Sequence, residues 1–99
     1  MSLTPTIFKY ILPPIRHWKG DEVSIPTLAM PEPLYLAKMD GDLCLWVRGF
    51  DIEDGGSLRL RVCGTGHPAP APIDADHVST LIEPPFVWHF FAFKPGARR

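Results

Sequence analysis

Proline constrains the fold of this chain more than any other residue type, because 12 of its 99 residues are prolines. A proline inside a helix removes one backbone donor and clashes with the preceding turn, so long helices have little room here. The segments between the prolines are short and rich in β-branched and aromatic residues. This pattern favours a protein built from short β-strands.

The length and composition fit one small globular domain that spans residues 1–99, with 45% hydrophobic and 21% charged residues. The formal net charge of −1 argues against a general nucleic-acid binder. The first residues lack a charged segment followed by a sustained apolar core, and no uncharged run reaches the roughly 18 residues of a membrane span. We therefore expect a cytoplasmic protein without membrane contact.

Alternation of apolar and polar residues predicts about six or seven short strands. The predicted strands are residues 6–12, 21–25, 34–39, 42–50, 58–63, 77–83 and 86–93. Asp40-Gly41 between two apolar runs is the strongest hairpin signal, because both central positions of such a turn need a positive φ. Pro26 is expected to end the second strand, and residues 27–33 to form a loop. The fold class is all-β, a small antiparallel sandwich or partly open barrel.

The last predicted strand, residues 86–93, is apolar on both faces, and His89 is its one polar residue. A strand that is buried on both sides has this pattern, so we expect it to be the most deeply buried strand. A 99-residue chain offers little cover for such a strand, which predicts a homo-oligomer that buries the surplus apolar surface. The basic tail, residues 94–99, is predicted to be frayed.

A glycine turn after the strand 58–63 is the sharpest candidate for a binding site. Two glycines allow backbone amides to face an anion, while the threonine hydroxyl and the imidazole can add hydrogen bonds. Two arginines on the non-core face of the same strand could bind phosphate or carboxylate. The predicted ligand-binding residues are Arg59, Arg61, Gly64, Thr65, Gly66 and His67. The alternative is an ordinary strand-end turn, since the spacing of a phosphate loop is absent.

Aromatic residues and one histidine are candidates for contact with a partner protein. Trp18 and Trp46 could form stacking surfaces, and His89 interrupts an apolar strand. Each has a structural alternative, namely packing in the core or in an oligomer interface. The predicted partner-binding residues are accordingly Trp18, Trp46 and His89.

Metal binding, cofactor binding and catalysis have weak support in the sequence. None of the four histidines occurs in a two-ligand spacing, so no metal or cofactor is expected. Cys63 and His67 lie within loose reach of each other, but strand geometry argues against a useful nucleophile–base contact, and no enzymatic activity is predicted. Cys44 and Cys63 either form a disulfide or are two buried thiols. The thiols are favoured because nothing indicates an oxidising compartment.

Several segments resemble a family of short phage- and prophage-encoded proteins of unknown function. Members open with an F/W-K-Y strand, carry a central C-L-W strand and end in a V-W/F-H-x-F strand. The corresponding segments here are Phe8-Lys9-Tyr10, Cys44-Leu45-Trp46, the turn Gly64-Thr65-Gly66-His67-Pro68 and Val87-Trp88-His89-Phe90-Phe91. The similarity covers residues 7–93, and the family has no established activity to transfer.

The resemblance implies a non-enzymatic accessory protein that acts by binding in the cytoplasm of a bacterial host. The first hypothesis is an inhibitor of a host defence protein, which predicts an exposed apolar or charged patch. The second is a module that sequesters a phosphate-bearing small molecule, such as a signalling nucleotide, in a concave site at the glycine turn. A third is a structural or virion-associated β domain.

Overall fold

A computed structural model describes residues 3–95 and contains seven strands joined by short connections. The strands are β1 (Thr6–Leu12), β2 (Glu22–Thr27), β3 (Ala29–Met39), β4 (Asp42–Phe50), β5 (Gly56–Gly64), β6 (Ala75–Glu83) and β7 (Phe86–Phe93). A single 3-10 turn, Ile15–His17, follows β1. The predicted bounds of β1, β4 and β7 are confirmed. Residues 96–99, most of the tail predicted to be frayed, lie outside the described residues.

The strands form two antiparallel sheets that pack face to face. The three-stranded sheet has the order β1-β4-β3 and the four-stranded sheet the order β2-β5-β7-β6. The sheets do not close on each other, so the molecule is a small sandwich and not a barrel. No helix among residues 3–95 is long and apolar enough to cross a membrane.

The core lies between the two sheets and follows the predicted alternation. Leu45, Val47 and Leu60 have no exposed surface, and Phe90 of β7 is likewise fully buried. The remaining members of the buried apolar cluster are Leu12, Trp18, Leu36, Leu43, Leu58, Val62 and Ala92. Every second residue of β4 and β5 therefore faces the opposite sheet, as the period of two requires.

The hairpin predicted at Asp40-Gly41 is confirmed. Asp40 has a φ of 53° and Gly41 a φ of 85°, the left-handed region that this type of two-residue turn needs. Met39 and Asp42 pair directly on either side of the turn. The turn therefore fixes the register of β3 against β4.

Three prolines lie inside strands, which corrects the predicted loop at residues 27–33 and the predicted end of the second strand. Pro26 lies in β2, and Pro31 and Pro33 lie in β3. Both strands are at the edge of a sheet, and the register of β3 shifts between residues 29 and 32 and again between 33 and 35. An edge strand or a bulge tolerates proline because one side of its backbone needs no ladder hydrogen bond.

The expectation that β7 is the most deeply buried strand is wrong. Only Phe90 and Ala92 of β7 are buried, whereas five of the nine residues of β4 are. The four-stranded sheet has a partner on one face only, so Phe91 and Phe93 face outward. These two rings are half-buried because the His77 ring lies edge-on to Phe91 and the Arg59 guanidinium lies over Phe93.

One buried hydrogen bond connects the two sheets at their edges. The Leu36 amide of β3 donates to the Ser79 hydroxyl of β6 over 2.7 Å, and Ser79 is 4% exposed. The serine thus satisfies a backbone donor on the open edge of β3. A donor at this depth would otherwise stay without a partner.

Replacing Ser79 with alanine is expected to lower the free energy of unfolding by about 1–2 kcal/mol, because the buried Leu36 amide loses its acceptor. Urea denaturation followed by circular dichroism measures the change. Ser24→Ala on β2 is the matched control, since Ser24 is exposed, and it should change the stability by less than about 0.5 kcal/mol. Equal effects of the two substitutions would contradict a structural role of the Ser79 hydroxyl.

Candidate functional site

The predicted glycine turn is exposed and closes the end of β5. Thr65, Gly66 and His67 are exposed, and Gly66 has a φ of 89°. The Thr65 amide donates to the Val87 carbonyl over 3.3 Å, and the His67 amide donates to the Gly64 carbonyl over 3.1 Å. Two backbone donors of the turn are therefore already used within the protein.

The two predicted anion-binding arginines are ion-paired. The Arg61 NH2 group donates to Glu22 Oε2 over 2.6 Å, and the Nε atom of Arg59 lies 3.8 Å from Glu22 Oε1. Asp21 adds a second carboxylate 3.8 Å from Arg61 Nε. The hydrogen bond to Glu22, together with the charges of both carboxylates, raises the pKa of Arg61 above its usual value, against a smaller opposing effect of burial. Both guanidinium groups also lie over the Phe93 ring, at 3.8 Å for Arg59 and 5.4 Å for Arg61.

The structure brings part of the predicted ligand set together and separates the rest. Arg61, Gly64, Thr65 and His67 line one open cleft of about 680 Å³ beside the start of β7. Arg59 lines a different cleft of about 750 Å³, together with residues of β3 and the end of β7. The cleft at the turn therefore holds one arginine from the predicted pair, and that arginine already carries two acidic partners.

A chain of polar side chains crosses the outer face of the four-stranded sheet. The Thr65 hydroxyl lies 2.7 Å from His89 Nε2, and His89 Nδ1 lies 3.0 Å from the Thr80 hydroxyl. The Thr80 hydroxyl in turn lies 2.9 Å from His77 Nε2. His89 thus has both ring nitrogens bonded within the sheet, which accounts for a histidine in an otherwise apolar strand.

Trp18, one of the predicted partner-binding residues, lies in the core. Its side chain is 5% exposed, contacts the Phe90 ring edge-on with centroids 6.0 Å apart, and donates from Nε1 to the Pro13 carbonyl over 2.9 Å. Trp18 therefore packs in the core, as its structural alternative predicted, and has almost no surface that a partner could contact.

Trp46, the second predicted partner-binding residue, is half-buried at the centre of an apolar surface. This surface is the outward side of the three-stranded sheet and is called the apolar face below. Its members are Ile7 and Ile11 of β1, Tyr35 and Met39 of β3, and Trp46 of the central strand β4. Four of these five side chains are between 46% and 62% exposed: Ile7, Ile11, Tyr35 and Met39.

Direct cross-strand pairs arrange the apolar face in three rows, and Met39 lies beyond them, opposite Asp42. The middle row is Lys9, Trp46 and Tyr35, and the Tyr35 and Trp46 rings have centroids 6.4 Å apart. One neighbouring row is Ile11, Cys44 and Ala37, and the other is Ile7, Arg48 and Glu32. Arg48 Nε donates to Glu32 over 2.8 Å, so this end of the face is polar and internally paired.

Sequence reasoning missed the aliphatic members of the apolar face, Ile7, Ile11 and Met39, whereas Tyr35, like Trp46, was a candidate stacking surface. The signal was present in Thr6–Leu12, where apolar residues occupy both odd and even positions. An edge strand that packs on one face only must then expose the odd set, Ile7 and Ile11. Tyr35 and Met39 follow from their pairing with β4.

The two cysteines are free and buried, on opposite sides of the molecule. Cys44 lies in the three-stranded sheet and Cys63 in the four-stranded sheet, each on the side that faces away from the core. The disulfide alternative is thereby set aside. Burial raises the pKa of the Cys63 thiol above its usual value, and the positive charge of Arg61 opposes this shift in part.

We expect native protein to resist alkylation by iodoacetamide at neutral pH, because both thiols are buried and burial disfavours the Cys63 thiolate. Mass spectrometry should find two labels after denaturation and none before. Because the pKa of the Cys63 thiol is higher in the folded protein than in the unfolded chain, the free energy of unfolding should fall as the pH rises above about 8.5, the ordinary pKa of a cysteine thiol. Labelling of Cys63 in the native state at the denatured rate would contradict its placement.

No group of three or more histidine, cysteine, aspartate or glutamate side chains within residues 3–95 is arranged to hold a metal ion. His77 and His89 are neighbours, with ring centroids 6.4 Å apart, but a structural or catalytic metal in a protein ordinarily needs at least three such ligands. The described residues therefore offer the cleft at the glycine turn and the apolar face as candidate sites.

Comparison with known proteins gives one match. No curated protein and no solved structure matches the chain. A family model described as a domain of unknown function, DUF7352, matches residues 4–98, nearly the whole sequence. The chain belongs to this family of domains of unknown function, DUF7352.

Proposed function

We propose that the protein is a non-enzymatic binding protein that contacts a partner protein through the apolar face. The observation that carries the proposal is the exposure of Ile7, Ile11, Tyr35 and Met39 around Trp46 on one side of one sheet. A cluster of exposed apolar side chains of this kind typically marks an interaction site, because leaving it in water is unfavourable.

The residue types at the centre of the face support the same proposal. Tryptophan and tyrosine are enriched among the residues that dominate binding energy, and such residues cluster near the middle of an interface. Trp46 and Tyr35 are in contact here and lie in the middle row of the face. The Arg48–Glu32 pair supplies a polar rim at one end.

The resemblance suggests what the partner is. We propose that the protein is of phage or prophage origin, works in the cytoplasm of a bacterial host and inhibits a host defence protein. Sequestration of a phosphate-bearing molecule at the glycine turn is less favoured, because Arg59 and Arg61 share the carboxylate of Glu22 and line two different clefts. The apolar face also favours a binding role over a purely structural one.

The test is affinity capture from a bacterial host with wild-type protein and with two variants. Trp46→Ser removes the centre of the apolar face, and we expect it to weaken binding of the captured partner by roughly 30-fold, as for a central interface residue. Ile82→Ser is the matched control, since Ile82 is 70% exposed but lies on the four-stranded sheet. The partner is identified by mass spectrometry, and its affinity for each variant is measured by calorimetry.

The proposal fails if Trp46→Ser folds normally and retains the partner with wild-type affinity. It also fails if Ile82→Ser loses the partner to the same extent, because binding would then depend on the other sheet. Circular dichroism and the thermal midpoint show whether each variant is folded.

Self-association stays a prediction, but the apolar surface that would drive it lies on a different sheet from the one expected. The surplus apolar surface that suggested an oligomer is not on β7 but on the three-stranded sheet. Two copies that bury this face against each other would form a face-to-face dimer, which would have to dissociate before the partner could bind the same face. Sedimentation equilibrium should then give a dimer mass for the wild type and a monomer mass for Trp46→Ser.

A further inference from the structure

We propose that the open edge of β1 binds an extended segment of the partner protein as an additional strand, with a carboxylate opposite Lys9. This inference rests on the proposed function and names the kind of segment that the partner contributes. The added strand would continue the three-stranded sheet and widen the apolar face beside Ile7 and Ile11. Its backbone would pair with the unpaired side of β1.

The edge of β1 is open for pairing. Within residues 3–95 the strand pairs with β4 on one side and has no strand neighbour on the other. Its seven residues pair with β4 in continuous register, without a bulge. A strand of this kind presents a row of free backbone donors and acceptors to solvent.

The other sheet edges carry prolines or register shifts that disfavour pairing, and β1 carries neither. Pro26 interrupts β2, while Pro31, Pro33 and two register shifts interrupt β3. The fourth edge, β6, has a register shift between His77 and Ser79. Proline, bulges and charged side chains are the usual protection of an edge strand, and β1 has the charge of Lys9 but neither of the other two, so among the described residues this edge suits a segment that neutralises the lysine.

The side chains of β1 also suit an additional strand. Ile7, Phe8 and Ile11 are 58%, 41% and 62% exposed, so both faces of the strand have apolar surface near the open edge. Cross-strand contacts with β-branched or aromatic residues of an incoming strand would cover them. The edge thus offers backbone pairing and apolar side-chain contact together.

Lys9 determines which segment fits. It is the one charged residue of β1, lies at the centre of the strand and points to the apolar face beside Trp46. Among residues 3–95, no carboxylate is recorded within ion-pair distance of its ammonium group. A carboxylate directly across from it would supply the missing opposite charge.

The same lysine disfavours a second copy of the chain as the occupant. Antiparallel pairing of two β1 strands about their common centre would place Lys9 directly opposite Lys9. Like charges in directly opposed positions are destabilising. A segment with an acidic residue flanked by β-branched residues has the complementary pattern.

The size of the apolar face supports the need for an additional contact. A three-stranded face seven residues long has a flat outline of about 330 Å², from roughly 3.3 Å per residue along a strand and about 4.8 Å of width for each of the three strands. A stable protein interface typically buries about 800 Å² on each partner. A strand at the β1 edge would extend the contact area continuously from the face.

The test uses a synthetic peptide, acetyl-Thr-Val-Thr-Glu-Thr-Val-Thr-amide, whose palindromic sequence offers the same side chains in either direction. Binding to ¹⁵N-labelled full-length protein is measured by nuclear magnetic resonance titration. We expect shifts confined to β1, its neighbour β4 and the adjoining apolar face. A control peptide with lysine in place of glutamate should bind roughly fivefold more weakly, as a cross-strand charge pair implies. The variant Lys9→Glu should reverse this preference.

Backbone pairing is tested with two N-methylated peptides, one methylated at the valine and glutamate amides and the other at the inner threonine amides. The amides of alternate residues point to the same edge of a strand. We therefore expect one methylated peptide to lose binding by tenfold or more and the other to bind within about twofold of the parent. Equal binding by both would overturn strand addition.

Three other results would also overturn strand addition at β1. Absence of any shift with the glutamate peptide, or a preference unaltered by Lys9→Glu, overturns the proposal. So does a wild-type dimer that the peptide dissociates, because a second copy would then occupy the edge. If the peptide fails but Trp46→Ser still abolishes capture of the partner, the apolar face stands and the edge does not. If instead the peptide binds as expected and Trp46→Ser still captures the partner, the edge of β1 is retained as a binding site and the apolar face is rejected.

Discussion

Replacing Phe90 with alanine is expected to lower the free energy of unfolding by about 3–5 kcal/mol, the largest effect of any substitution proposed for this chain. Phe90 has no exposed surface, belongs to β7 and packs edge-on against Trp18. The truncation removes apolar burial and leaves a cavity between two sheets whose strands are held by hydrogen bonds and cannot close the gap. Urea denaturation of the purified variant gives the magnitude.

Phe86→Ala is the matched control, because it makes the same chemical change on the same strand. Phe86 is 56% exposed and stacks only on Trp88 among the rings, with centroids 5.4 Å apart. Its loss should cost less than about 1 kcal/mol. A stability loss from Phe90→Ala no greater than that of Phe86→Ala would show that Phe90 is not the central core residue.

Gly49→Ala is expected to cost about 3 kcal/mol, at the upper end for one methyl group added to a packed interior. Gly49 is buried in β4, and a Cβ atom there would lie 2.7 Å from Leu28 Cβ and 2.8 Å from the Ala29 carbonyl oxygen. Neither atom is the free end of a flexible side chain, so the junction between β2 and β3 would have to move. The thermal midpoint and the urea midpoint should both fall.

Gly64→Ala tests whether the destabilisation by Gly49→Ala comes from the steric clash of the added methyl group or simply from replacing a glycine in a strand. Gly64 ends β5, and a Cβ atom there would lie 3.3 Å from the His67 ring, which belongs to an exposed turn and can move. We expect this substitution to cost less than about 1 kcal/mol. Similar losses at positions 49 and 64 would contradict a steric role of Gly49.

The strands and the β3–β4 hairpin could be predicted from the sequence because their signals are local. The alternation in Leu58–Cys63 sets one face of β5 against the core, and Asp40-Gly41 sets a turn that few other dipeptides can make. The bounds of β1 and β4 are likewise set by flanking turn residues. Local sequence therefore determines which residues are strands and which way most of them face.

The prolines misled the prediction because proline signals have two meanings. Pro26, Pro31 and Pro33 indicate an interruption when the neighbouring strands are unknown, but an edge strand accommodates them. Which strands lie at an edge depends on the order β2-β5-β7-β6 and β1-β4-β3, which is set by contacts between distant segments. Because the order of the strands is not visible in the sequence, β7 was also predicted to be buried on both faces.

The glycine turn could be predicted from the sequence, but the ion pair that neutralises its arginine could not. Arg61 and Glu22 are 39 residues apart, and the antiparallel pairing of β2 with β5 brings them together. No local pattern announces such a pair. The part of the apolar face that β1 contributes could, in contrast, be predicted from the sequence, because β1 has apolar residues at both odd and even positions.

Site-specific photocrosslinking shows directly whether the apolar face contacts the partner. p-Benzoylphenylalanine is incorporated in place of Tyr35, which is 58% exposed beside Trp46, or in place of Ile82, which is 70% exposed on the other sheet. Irradiation in a bacterial host should link the partner found by affinity capture to position 35 and not to position 82. A crosslink at position 82 without one at position 35 would contradict the claim.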